Sequence, residues 1–200
     1  MEPNQLKAKG LSMNVGTKSI LFGAHCWFLH PWFVAWAWWR LYGFPFDPRL
    51  WAAFFVHDLG YWGKPNMDGP EGETHVELGA WIMSLFGATW ADLSRYHSRF
   101  YAKKDGRPFS ALCVADKLAI VLTPAWLYLP LARATGEIHE YMELAQQGRE
   151  TGGKYQSMLT WSPDQAEWYA NVQRYLVSWI EEHKDGRQDT WTPSARKAKQ

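Results

Sequence analysis

Two acidic residues, Asp58 and Asp116, restrict how this chain can fold more than any other feature. Asp58 closes the apolar run that starts at Leu50, with His57 just before it, and Asp116 lies in the middle of Ala111–Leu122. An ionised carboxylate taken out of water costs several kcal/mol unless it is paired. The nearest cation, Lys117, projects about 100° round a helix from Asp116. Any fold that buries these runs must bring another positive partner to both carboxylates, and a bound cation is the natural one.

The histidines supply the rest of such a site. In chain order the ligand-type residues are His25, His57, Asp58, His75, His97 and Asp116, and His25 repeats the pattern of a polar residue inside an apolar run. Imidazole and carboxylate together suit borderline or hard divalent ions, with Fe or Mn placed first and Zn, Mg, Ni or Co also compatible. Six ligands exceed what one tetrahedral ion needs, so the pattern predicts two ions. His30, His139 and His183 fit no spacing and are read as structural or surface residues. Cys26 and Cys113 form no C-x-x-C pair and are read as packing residues; without a signal peptide the chain is expected to be cytoplasmic.

Start and stop signals predict an all-α chain. Asp47-Pro48 opens a helix over about 48–59, with Gly60 as its C-cap and His57-Asp58 in its last turn. Thr74 and Glu77 read as a capping box, which places His75 in a first helical turn. Thr89 and Asp92 resemble a cap for a helix carrying His97 two turns in. Ser110 opens the helix of Asp116, Thr123-Pro124 closes it, and Ser162-Pro163-Asp164-Gln165 opens a last helix reaching about His183. Residues 1–18 are expected to be an N-terminal tail, 19–183 a single helical domain, and 184–200 a basic, disordered tail. Two hundred residues suffice for a core that buries about 70% of the unfolded surface.

Between the doublet and His75 lies a stretch, 60–73, rich in Gly and Pro, expected to be a loop over the metal mouth. Lys64 and Tyr61 are its candidate substrate contacts, and Glu73 is the outside candidate for a further ligand. Arg95, Arg99 and Lys103 repeat every four residues and read as a solvated stripe, whereas Lys104 shares the His97 face and is the candidate phosphate contact.

The net charge of +1 comes from basic ends: residues 184–200 carry five Lys/Arg against two Asp/Glu, and 1–18 carry three Lys against one Glu. The mildly acidic middle excludes a nucleic-acid polymer as partner. Five of the fourteen Trp crowd into 27–39, and Ser19 to Trp39 runs 21 residues without Asp, Glu, Lys or Arg. Two histidines and Pro31 argue against a bilayer span there. The segment reads instead as a buried helix, an aromatic surface through which the chain forms a homo-oligomer, or a membrane-surface contact, with membrane contact not the leading expectation.

With His57-Asp58, an upstream His25 and a downstream Asp116, the chain resembles the HD-domain superfamily over roughly residues 19–122. The resemblance implies an HD-domain helical bundle with the metal site in its core. It implies that His25, His57 and Asp116 hold one ion, His75 and His97 a second, and Asp58 both. Tyr96-His97-Ser98 and the segment from Gly106 to Lys117 are similar to the binuclear subgroup, which includes diadenosine tetraphosphate hydrolase-like and HD-GYP phosphodiesterases. The chain departs from HD-GYP members, because Lys64 stands three residues beyond their Gly-Lys lysine and no Gly-Tyr-Pro triplet follows. The implied activity is a metal-dependent phosphohydrolase that attacks a nucleotide or other small phosphate ester with a metal-bridging hydroxide, with Asp58, Lys64 and Lys104 as catalytic residues; Lys117 is a further lysine able to bind phosphate. The alternatives are a di-iron oxygenase similar to myo-inositol oxygenase and a non-catalytic, metal-stabilised binding protein.

Overall fold

The computed structural model describes residues 13–151 and 159–185. Ten α-helices and two short 3-10 turns make up the described chain, and no strand occurs among these residues. The helices are α1 (Val15–Phe22), α2 (His30–Tyr42), α3 (Pro48–Val56), α4 (Val76–Ser84), α5 (Ala88–Arg95), α6 (Arg99–Lys104), α7 (Ala111–Leu122), α8 (Ala125–Thr135), α9 (Glu137–Glu150) and α10 (Gln165–His183). The first helix therefore begins four residues before the expected domain boundary at 19. The expected tails fall mostly outside the described residues.

The uncharged segment 19–39 is not one helix. Backbone turns from Gly23 to Leu29 separate α1 from α2, which starts with Pro31 in its first turn, where a missing N–H costs nothing. No single described helix is long and apolar enough to cross a membrane; α7 and α8 pass such a test only together, bent by 103°.

Helix α7 is the centre of the bundle because its sequence is apolar on several faces. Leu112, Ala115 and Ala119 join Val34 and Ala37 of α2, Ala53 and Phe54 of α3 and Met83 of α4 in one core cluster. Cys113 and Val114 face the other way, against Tyr175, Leu176, Trp179 and Ile180 of α10. Asp116 is left pointing at α2 and α3. The carbonyls at the C-terminus of α7 are satisfied by α10, whose Tyr169 hydroxyl lies 2.7 Å from Ile120 O and 2.8 Å from Thr123 O.

Several expected caps hold. Asp47 accepts from Arg49 N (2.9 Å), Ser110 from Cys113 N (3.2 Å) and Asp164 from Glu167 N (2.8 Å). Others do not form. Helix α3 ends at Val56, and Leu59–Tyr61 is a separate 3-10 turn, so Gly60 is no C-cap. Thr74 makes no capping box: its hydroxyl donates to Glu71 O at 2.7 Å, and Gly72–His75 forms a 3-10 turn before α4. Gly87 rather than Thr89 precedes α5.

The helix expected to run past His97 is broken, because Ser98 caps α6 by accepting from Phe100 N (3.1 Å) and Tyr101 N (3.3 Å). The solvated stripe breaks with it. Arg99 donates to Tyr175 OH at 3.2 Å and lies over the Trp179 ring, while Arg95 pairs with Glu77. Ser98→Ala is expected to cost about 1 kcal/mol, the usual worth of such a cap. Urea titration of the variant would check the value, and an unchanged midpoint would remove the cap from the account of how His97 is placed.

Candidate metal centre

Five segments deliver the ligand-type side chains to one buried place. His30 comes from the first turn of α2, His57 and Asp58 from the end of α3, His75 from the 3-10 turn before α4, His97 from the break between α5 and α6, and Asp116 from the middle of α7. All six are buried. They form two groups able to hold a metal ion, His30/His57/Asp58/Asp116 and Asp58/His75/His97, which share Asp58.

Asp58 turns one oxygen to each group. Its Oδ2 lies 3.1 Å from His57 Nε2 and 3.6 Å from His30 Nε2, and its Oδ1 lies 3.3 Å from His97 Nε2 and 3.8 Å from His75 Nε2. In the first group Asp116 Oδ1 is 3.0 Å from His30 Nε2 and 3.9 Å from His57 Nε2. Metal–ligand bonds of about 2.1 Å set neighbouring ligand atoms about 3 Å or slightly more apart. The spacings suit that range.

The tautomers point the same way. His57, His75 and His97 each direct Nδ1 at the carbonyl three residues earlier, Phe54 O at 2.9 Å, Gly72 O at 2.7 Å and Ser94 O at 2.5 Å. A carbonyl only accepts, so each Nδ1 carries the hydrogen and a neutral ring presents its Nε2 lone pair inward. His75 Nε2 and His97 Nε2 then face each other at 3.0 Å. His57 Nε2 and Asp58 Oδ2 are buried without a hydrogen bond among the described residues. Acceptors confronting acceptors in a dry pocket are satisfied by a cation between them.

The electrostatics agree. Burial opposes ionisation of Asp58, yet the neighbouring imidazoles, His57 foremost, hold its carboxyl well below the usual range. Asp116 is held low against the same burial by Lys117 and His30. Burial and the facing His97 push His75 far down, which keeps it neutral. Burial also works against a charge on His57, but Asp58 and Asp116 outweigh it and draw positive charge to that ring, be it a proton or a metal ion.

Two expectations need correction. The first concerns His25, which joins neither group; His30 stands in its place. His25 lies in the turn after α1, where its Nδ1 is 3.2 Å from Glu137 Oε2 and 3.0 Å from Ser19 Oγ. Glu137, fully buried at the start of α9, also accepts from Ala24 N (2.8 Å), Thr135 Oγ1 (2.8 Å) and Tyr141 OH (3.2 Å). Burial disfavours the His25 cation, but the Glu137 hydrogen bond and the charges of Asp58, Glu137 and Asp116 raise its pKa to about 9. The sequence did hold a signal for His30, which shares the inward spacing of Val34, Ala37 and Leu41 on α2. Glu137 carried no signal at all, because its partners at Ser19 and Ala24 are more than a hundred residues away.

The second correction concerns Lys117, whose flexible stem bends back so that Nζ pairs with Asp116 Oδ2 at 2.8 Å. Asp116 therefore serves two partners, Oδ2 taking the lysine and Oδ1 facing the histidines.

Other candidates lie around the centre. Tyr61 stacks on His75, ring centroids 4.0 Å apart, and Lys64 donates to Thr74 Oγ1 at 2.5 Å, next to His75. The loop they belong to is held down: Glu140 accepts from Met67 N at 2.9 Å and Asp68 N at 2.8 Å. Glu73 accepts from Ser98 Oγ at 3.3 Å and belongs to neither ligand group. Lys104 is exposed, 5.2 Å from the centre of the Tyr101 ring. His139 is exposed, and His183 is buried against Trp179. A surface cavity of about 370 Å³ between α2, α3, α5 and the start of α7 is lined by Trp38, Leu50, Trp90, Leu93, Tyr96, Arg107 and Phe109 among others, and by none of the ligands. Donor chemistry rather than cavity size marks the centre.

Glu137→Ala is expected to cost about 3–5 kcal/mol, because it removes the buried acceptor that the part-buried His25, Ser19, Ala24, Thr135 and Tyr141 share. The pH dependence has a definite sign. His25 titrates near 6.5 when unfolded and near 9 when folded, so its contribution is complete below pH 6.5 and is lost as pH rises through about 9. In metal-free protein the stability margin of wild type over His25→Gln should shrink across that window. A margin that stays flat from pH 6 to 10 would show that His25 is not held as a cation.

Comparison of the chain with models of protein families, with curated proteins and with solved structures gave no match.

Proposed function

We propose that this protein is a metal-dependent phosphohydrolase of the HD type, acting on a nucleotide or other small phosphate ester. The observation that carries the reading is the division of labour at Asp58, one oxygen toward His30 and His57 and the other toward His75 and His97. His30, His57 and Asp116 would hold one divalent ion, His75 and His97 the other, with Asp58 shared. Such ions supply a water made nucleophilic near neutral pH and positive charge for the phosphoryl oxygens.

The protein's own residues set up that chemistry. The backbone carbonyls of Phe54, Gly72 and Ser94 fix three imidazole tautomers, so no ring has to reorient. Lys117 holds Asp116 in place through the oxygen that does not face the histidines. Tyr61 covers one face of His75 and excludes water from it. Lys64, anchored beside His75 through Thr74, is the lysine positioned to meet a phosphate; Lys104 has no comparable anchor to the ligand groups.

Metal-loaded protein assayed against nucleotides and simple phosphomonoesters and diesters should release phosphate or a nucleotide product. Lys64→Ala should raise KM more than it lowers kcat. Absence of hydrolysis together with oxygen consumption and an oxidised organic product would assign the same ligands to a di-iron oxygenase. Absence of both would leave a metal-stabilised binding protein.

A further inference from the structure

Helix α2 has two faces of opposite use. His30, Val34 and Ala37 point into the bundle, while Trp32, Trp36 and Trp39, at 56%, 44% and 58% exposure, line the outside. The outward face continues past both ends of the helix. Phe28 (69%) contacts Trp27 before α2, ring centroids 5.1 Å apart, and Phe44 and Phe46 (49% and 85%) extend it beyond Trp39, with centroids 5.8 Å apart for Trp39–Phe44 and 4.8 Å for Phe44–Phe46. Aromatic side chains offer about 150–250 Å² each, so seven half-exposed rings present on the order of 700 Å², above the roughly 300–600 Å² of the largest patch on an ordinary monomer.

The chemistry of the patch selects its partner. The indole N–H groups of Trp32, Trp36 and Trp39 have no acceptor among the described residues, whereas those of Trp27 and Trp51 are satisfied by Phe55 O and Pro45 O. From Ser19 to Phe46 the sequence has no Asp, Glu, Asn, Gln, Thr or Lys, and its one Arg is Arg40. Closing two copies of this face together would bury indole donors with nothing to accept from them, at the cost of unsatisfied buried groups. A lipid headgroup layer offers phosphate and carbonyl acceptors at the depth where tryptophan prefers to sit.

Charge points to the same surface. The exposed Tyr42, at the end of α2, donates to Lys184 O at 3.3 Å, so the chain leaves α10 beside the aromatic face. The following residues, 186–200, carry Arg187, Arg196, Lys197 and Lys199 against Asp189 alone, together with Trp191. An apolar face and a polybasic segment are the two signals that together give stable attachment to an anionic bilayer. Helix α2, at 13 residues, is too short to span one.

We infer that the α2 aromatic face docks this protein on the surface of an anionic lipid membrane. This takes up the membrane-surface alternative for the aromatic segment and stands independently of the phosphohydrolase reading. The test is flotation of the full chain with vesicles of phosphatidylcholine containing about 30% phosphatidylglycerol, compared with phosphatidylcholine alone. Wild type should float with the anionic vesicles and bind the neutral ones about tenfold or more weakly, with binding to the anionic vesicles falling as salt rises. W32S/W36S/W39S, all outward and therefore compatible with folding by circular dichroism, should lose about tenfold or more of the binding. R196E/K197E/K199E should lose it at low salt while keeping the fold. Wild type that ignores both vesicle types, or a triple tryptophan variant that folds and binds like wild type, would overturn the inference. So would a wild-type dimer that the tryptophan substitutions dissociate and that shows no vesicle binding, which would make the face a contact between copies.

Discussion

Asp58→Asn should leave the protein unable to hold either metal ion. Elemental analysis of wild type is expected to give two ions per chain, His75→Ala one, and Asp58→Asn fewer than one. The reason is geometric: each Asp58 oxygen faces a different set of imidazoles, so the amide replaces one of two anionic ligand atoms with a donor and weakens the other. Asp116→Asn, which faces only the first group, should spare the second ion. Loss of ligand function should take the proposed phosphohydrolase activity to background in Asp58→Asn. A variant retaining two ions per chain would show that Asp58 does not bridge, and the two-ion reading would fall with it.

The second large effect is expected at Gly60. A Cβ at this position would stand 1.8 Å from His75 O and 2.6 Å from His75 C, backbone atoms that cannot swing aside. The 3-10 turn after Asp58 and the turn carrying His75 pack backbone to backbone here, which is how two ligands 17 positions apart in sequence come to share a centre. Gly60→Ala must separate them. Forcing even one methyl into such a contact costs about 1–3 kcal/mol or more, and each kcal/mol lowers Tm by about 2–4 °C in a chain of this size. The first group should keep its ion while the second loses affinity, so stoichiometry falls toward one. Unchanged Tm and two ions would mean the two turns part without consequence. Gly79 makes the same kind of approach, to Val56 O at 2.8 Å and the Cα of His57 at 3.0 Å, and locks α4 onto the other side of the doublet.

These two positions illustrate what can and cannot be taken from a linear chain. Local chemistry was legible: Asp47-Pro48, Ser110 and Asp164 open helices because a cap needs only neighbours within three residues. The carboxylates of Asp58 and Asp116 were recognisable as paired residues because burial of their flanks follows from composition. The capping box at Thr74 failed for the opposite reason, since its hydroxyl accepts from Lys64 Nζ and donates to Glu71 O once the loop has folded back. Ser98 was a cap in plain sight, but a continuous pattern of apolar residues concealed the break that frees His97 to turn inward.

The choice between His25 and His30 shows where the boundary falls. Sequence alone determined that helices form, that two aspartates and several histidines are buried on them, and that an uncharged aromatic segment lies near the start of the chain. Only the tertiary structure decided which histidine joins which carboxylate, because Glu137 reaches His25 from 112 positions away and the outward face of α2 is defined by what packs on its inward face. Propensity and capping act over a few residues and can be read in order along the chain. Charge pairing and burial act through space, and the folded chain alone sets those distances.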